Sequence, residues 1–170
     1  MLLVLPFLVG CVHLTEPRYS PSRDNIKAMK IYEDAKVKAL AFNQSESFDL
    51  TCRALGAIKP ADNLTVAQFI TNAFNDEFKL ANIYSEDGVK ISAEITNIEV
   101  SSFSGFWAIT ILISGHNNKT LSIKHKHEFK TAYFGDVACN RTASALTNAI
   151  QGLINKAISH PDFSKLLDLS

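Results

Sequence analysis

Residues able to act as ligands, nucleophiles or proton carriers fall into few groupings along this chain. His125-x-His127 places two imidazoles on one face of an extended segment, a spacing metals accept, yet the sequence identifies no further ligand for them. Packing against a sheet face is the reading adopted, and no metal or cofactor is expected. Glu94 and Glu99 are the nearest thing to paired carboxylates, but their odd separation points them to opposite faces of a regular strand unless a bulge intervenes. Serines are plentiful, while G-x-S-x-G, G-x-x-x-x-G-K-[ST] and G-x-G-x-x-G are all absent from the sequence. An elbow nucleophile and a phosphate cradle therefore lack local support. The chain is expected not to be an enzyme.

The other reactive groups are Cys11, Cys52 and Cys139. Met1 to Gly10 is almost wholly apolar and gives way at Cys11 to largely polar, Pro-bearing sequence. This run is too short to cross a hydrocarbon core, which takes about 20 helical residues, but it suits the core of a signal peptide. Leu8-Val9-Gly10-Cys11 resembles the lipobox of bacterial lipoproteins, in which a small residue precedes a cysteine that becomes the acylated N-terminus. The resemblance implies that residues 1–10 are a signal peptide and that the Cys11 thiolate takes a diacylglyceryl group, with Gly10 giving the peptidase access. No Lys or Arg precedes the apolar run, which departs from the usual signal pattern. Pro17, Ser20, Pro21, Ser22 and Asp24 then disfavour helix and strand, so residues 11–25 are expected to be a flexible tether that holds the domain off the bilayer. Val12 stands where an Asp would retain an enteric lipoprotein at the inner membrane, so the outer membrane, facing the periplasm, is the expected location.

With Cys11 committed to lipid, Cys52 and Cys139 remain as an even pair in an oxidising compartment, and a disulfide is expected between them. A catalytic thiol or a metal pair is the rival reading, but neither residue lies in a C-x-x-C and neither has a second ligand at metal spacing.

The elements that must position these groups form one domain, residues 26–170. Residues 26–42 and 48–55 alternate weakly as strands, with Phe48, Leu50 and Cys52 on one face. Thr65 and Gln68 form a capping box that opens a helix whose Val66, Phe69, Ile70, Ala73, Phe74, Phe78 and Ala81 share a wide apolar face. Asp87-Gly88 turns into a strand with Val89, Ile91, Ala93 and Ile95 in phase; the phase slips to Ile98 and Val100, which predicts a bulge near Thr96-Asn97. Residues 106–113 form the next strand, apolar enough on both sides to be covered on both. Residues 121–133 complete an antiparallel meander, with His125 and His127 facing inward opposite Lys124, Lys126 and Lys130. Asp136 caps a long helix carrying Cys139 in its first turn and ending before Pro161, and Phe163, Leu166 and Leu167 close the fold in a short last helix. The class is α+β, a mostly antiparallel sheet with two main helices packed on one face.

This order resembles small periplasm-facing lipoproteins of gram-negative bacteria over about residues 48–167. The matching stretches are Leu50-Thr51-Cys52-Arg53-Ala54-Leu55, Asp87-Gly88-Val89-Lys90-Ile91, Cys139 at the start of the last long helix, and His160-Pro161-Asp162-Phe163. The likeness carries over no catalytic residue.

Lys plus Arg and Asp plus Glu both total 17, so no sequence-wide field draws the protein to nucleic acid. Four Asn-x-Ser/Thr sequons begin at Asn43, Asn63, Asn118 and Asn140, but the leader is short for a secreted glycoprotein. The first functional expectation is a membrane-anchored envelope lipoprotein, a non-catalytic adaptor or accessory subunit that holds a protein or lipid-linked partner through a sheet edge or the helix-free sheet face. The alternative is a small-molecule or lipid carrier with a pocket among Phe69, Phe74, Phe78 and Trp107.

Overall fold

A computed structural model describes residues 14–44 and 47–169. Its elements are α1 (Arg23–Ala28), a 3-10 turn (Met29–Tyr32), β1 (Phe42–Gln44), a second 3-10 turn (Ala61–Asn63), α2 (Val66–Leu80), β2 (Ile91–Ser101), β3 (Phe106–Gly115), β4 (Thr120–Glu128), α3 (Gly135–Ile158) and α4 (Phe163–Leu166). The sheet runs β1-β2-β3-β4; β1 is parallel to β2, and the other pairs are antiparallel. A parallel pair needs a long crossover, and α2 lies within the one that links β1 to β2. The class is α+β, as the periodicities imply.

One face of the sheet holds the core. Phe42 pairs in register with Ala93, and Ala93 with Ile113, so these side chains share a face with Trp107, Ile109 and Ile111. Phe42 meets Phe74 of α2 with ring centroids 5.2 Å apart, and the buried Trp107 donates its indole N–H to the Thr142 carbonyl of α3 at 2.8 Å. Both helices therefore cover the same side. The reciprocal bonds of the Thr65–Gln68 capping box are formed, at 3.1 and 2.9 Å. Every residue of the expected apolar face of α2 is buried. The bulge also stands where the phase slip put it, with the register shifting between Ile95 and Asn97. Strand β3 is central, but only its inner side lies under helices; the other is half-open at Thr110 and Leu112.

Several expectations change. Residues 26–42 are helical at first rather than extended, because the Ser22 hydroxyl caps the Asn25 N–H and starts α1. Residues 48–55 form no strand: Cys52 N–H donates to the Gly56 carbonyl at 2.9 Å, and a tight turn with Arg53 at φ 51° folds the chain back. Strand β4 stops at Glu128, where its partner turns away at Gly105; a Cβ at Gly105 would stand 2.2 Å from the Phe129 carbonyl oxygen, so only glycine fits. The helix α3 starts at Gly135 with no side-chain cap, and Asp136 sits in its first turn instead. Its carboxylate there meets the positive end of the helix dipole.

The largest change concerns the tether. From Leu14 the chain is stitched to the domain: Thr15 N–H donates to Asn140 Oδ1 at 2.7 Å, Thr147 Oγ1 and Gln151 Nε2 donate to the carbonyls of Arg18 and Ser20, and Ala61 N–H donates to that of Pro17. Polar and Pro-rich composition marks a segment that avoids regular structure, but it does not stop that segment from donating and accepting along two helices. Cys11 lies outside the described residues.

Cys52 and Cys139 are bonded, joining the turn after Leu50 to the first part of α3 across a sequence separation of 87. Closing a loop of that length stabilises a fold by about 4–5 kcal/mol in the chain-entropy model. Replacing both cysteines by alanine should lower Tm by roughly 8–20 °C, since a domain of this size loses about 2–4 °C per kcal/mol. Calorimetry of the oxidised chain and the double variant checks this.

Candidate functional site

A long concavity lies along α3, beside the outer edge of β4. Two adjoining depressions of about 700 and 480 Å3 share Asn148; His125 lines the first and His127 the second. Among the described residues no strand pairs with the outer side of β4. The Lys124 carbonyl points out there, taking the Lys156 ammonium at 2.7 Å. By the alternation of an antiparallel ladder, the N–H and C=O groups of Ser122, Lys126 and Glu128 also face outward. Lys156 occupies one acceptor of this edge, a common way to blunt it.

The inward rank of β4 explains the two histidines. Leu121 and Ile123 are fully covered by helices, whereas His125 and His127, nearer the end of the strand, are half-buried. His125 fits under Gly152 of α3: a Cβ at residue 152 would stand 2.2 Å from His125 Nε2. That nitrogen is buried without a hydrogen-bond partner. Burial first, then the charges of His127 and Lys156, hold the His125 pKa below its ordinary 6.5, and burial does the same for His127. Among the described residues no group of three or more His, Cys, Asp and Glu side chains could hold a metal ion. The pair is a neutral wall of the groove.

The second depression is mixed in character. Phe129, Val137 and Ala145 supply apolar surface, Asn140, Ser144 and Asn148 supply amides and a hydroxyl, and Lys130 and Arg141 supply charge. These are groups suited to contact with an extended peptide. On the opposite sheet face, the bulge brings Glu94 and Glu99 to one side, opposite Leu112 and Ala108 of β3. Four residues along β3 keep them roughly 13 Å apart, too far for paired acid–base work. Lys126 bonds Glu128 at 2.6 Å and lies over the Phe106 ring, so this face is a solvated one.

The expected pocket among Phe69, Phe74, Phe78 and Trp107 does not form. Phe74 and Phe78 pack edge to face at 6.0 Å, Phe69 meets Tyr19, and Trp107 turns to α3 rather than α2. All four are buried, and their rings fill the space a ligand would need. The carrier reading loses its site.

One buried charge escaped the sequence reading. Glu77 is fully buried in the apolar face of α2, where it receives the Tyr19 hydroxyl and, at 2.8 Å, the Ser22 N–H, leaving Oε2 without a partner. Burial raises its pKa despite those bonds, and burial with the neighbouring carboxylate raises that of Tyr19. The signal was present in the spacing, since Glu77 falls three and four residues from Phe74 and Ala73. It fastens the segment before α1 rather than opening to solvent.

Neither a protein-family model nor a curated protein matches this sequence. Among the described residues no helix is long and apolar enough to cross a membrane.

Two measurements probe the groove. Gly152→Ala should destabilise the fold by about 1–2 kcal/mol, overpacking outweighing the gain in helix propensity. Adding His125→Ala should recover part of that loss in a double-mutant cycle read by urea unfolding. Because His125 and His127 bind protons less readily folded than unfolded, their contribution is complete above pH 6.5 and is lost as pH falls through the lower folded values. Stability measured across this window should fall on acidification, and His125→Gln should flatten the slope.

Proposed function

We propose that this chain is a membrane-anchored envelope lipoprotein, acylated at Cys11, that serves as a non-catalytic adaptor in a cell-envelope complex. The observation that carries the adaptor role is the groove between the outer edge of β4 and α3. Outward backbone groups of Lys126 and Glu128 offer ladder bonds to an added extended segment, while Phe129, Val137 and Ala145 offer contact for alternate side chains. Lys130, Arg141 and Lys156 favour a segment bearing acidic residues. The partner is thus an acidic, extended stretch of an envelope protein.

The compartment and anchor have separate support. The Cys52–Cys139 bond suits an oxidising space such as the periplasm, and the Leu8-Val9-Gly10-Cys11 sequence supplies the acylation signal. With Val12 after the cysteine, the outer membrane is the favoured location.

Radiolabelled palmitate should enter the full chain in cells and fail to enter Cys11→Ser; equal labelling of both, or none of either, overturns the anchor. For the groove, a photocrosslinking residue replacing Ser144 should yield one discrete adduct in intact envelopes, and one replacing the exposed Leu80 of α2 should not. That adduct should weaken when Lys130 and Arg141 are both changed to Glu. Indistinguishable products from the two positions overturn the groove as the docking site.

A further inference from the structure

Three aromatic side chains stand out in the solvent at one end of the domain: Phe103 is 72% exposed, Tyr133 92% and Phe134 70%. Phe103 belongs to the β2–β3 turn and the other two to the loop before α3, and Arg53 holds both loops. Its guanidinium lies over the Phe103 ring at 4.6 Å and donates to the carbonyls of Ser102, Ala132 and Tyr133 at 3.2, 2.9 and 2.8 Å. Tyr133 and Phe134 meet edge to face at 5.7 Å. Arg53 follows the disulfide-bonded Cys52, so the rings project from a fixed base. A gathered apolar patch of this kind gains nothing from water and marks a surface that meets something else.

The chain's own course indicates what that is. Leu14, where the described structure begins, shares a depression with Leu55 and Gly56. Leu55 and Arg53 in turn border Gly135, directly after Phe134. Thr15 is bonded to Asn140 near the start of α3. The described chain thus begins at the aromatic end. Only Val12 and His13 separate Cys11 from Leu14, and that length of backbone spans at most about 11 Å in any conformation. An acyl chain on Cys11 therefore brings this end to the bilayer, rather than letting the domain hang away from it.

We infer that the end of the domain bearing Phe103, Tyr133 and Phe134 rests on the bilayer that holds Cys11, with these rings entering the boundary between headgroups and acyl chains. The inference rests on the lipid-anchored reading above. Aromatic rings with one wet and one apolar side favour that boundary. Both signs of charge occur here, Lys59, Lys130 and Arg141 against Glu16 and Asp136, so insertion of the rings and not net charge sets the orientation. Docking in this way lays the groove from the headgroups outward, with its Phe129–Arg141 part nearer the bilayer than its His125–Lys156 part.

The test uses the full acylated chain in phosphatidylethanolamine–phosphatidylglycerol vesicles whose acyl chains are brominated, a short-range quencher of indole fluorescence. Tyr133→Trp places a probe in the patch, with Phe103→Trp as a second in case the first misfolds. Ile31→Trp is the control: Ile31 is 75% exposed and adjoins Tyr32, which is bonded to Ile158 at the other end of the 24-residue α3, roughly 36 Å away. The native Trp107 is buried and sets the background. The introduced indole in the patch should lose most of its emission, the control none, and added salt should not reverse the loss. Equal quenching at both ends, or none at either while the chain stays with the vesicles, overturns the inference and leaves the anchor standing. An unquenched patch in a chain that sediments as a dimer assigns the patch to a second copy and likewise overturns it. A chain that takes up no palmitate and stays in the supernatant removes the anchor and the inference together.

Discussion

Burial of α3 against the inner rank of β3 and β4 is the contact on which the other elements depend. Its 24 residues present Ala138, Cys139, Ala143, Leu146, Ile150, Leu153, Ala157 and Ile158 to the core. The small residues among these let the helix approach the sheet closely enough for Trp107 to reach the Thr142 carbonyl. Several distant segments are then fixed to the helix along its length. Cys52 is bonded near its start, Thr147 and Gln151 hold the chain before α1, and Asn25 spans Gln151 and Asn155. The Tyr32 hydroxyl donates to the Ile158 carbonyl at 2.6 Å, satisfying one of the acceptors that a helix end leaves open.

The same helix shapes the surface. Where Gly152 lacks a side chain, His125 takes the vacated space, and the adjoining turns leave a long depression beside the open edge of β4. Where α3 begins, the loop that enters it carries Tyr133 and Phe134 outward, because Arg53 claims the carbonyls of Ala132 and Tyr133 for itself. The groove and the aromatic end are therefore neighbouring consequences of one packed helix and one pinned turn.

The cost of the arrangement is visible at Glu77. A carboxylate in the apolar face of α2 is expensive to desolvate, and its bonds to Tyr19 and Ser22 offset only part of that cost. What the molecule gains is register: the segment 14–22, which has no regular structure of its own, can lie in only one place. That single placement is why the chain enters the domain beside Leu55 and Gly135 and not elsewhere.

Sequence periodicity by itself determined the elements whose side chains alternate between core and solvent. The capping box at Thr65, the apolar face of α2, the three-strand meander and even the bulge after Ile95 follow from local rules, because each needs only its own residues to decide which side is wet. The pairing of Cys52 with Cys139 followed from their number once the third cysteine was assigned to lipid. Tertiary structure decided what depends on partners far away in the chain. Residues 48–55 alternate like a strand but turn back at Arg53 and bond to residues 56–58 instead, and the polar run before α1 reads as a free tether until α2 and α3 supply its hydrogen bonds. Phe69, Phe74, Phe78 and Trp107 carry the same apolar signal whether they line a pocket or fill it. Only the closeness of α2, α3 and the sheet, set by the volumes of all their side chains at once, determines that no space is left.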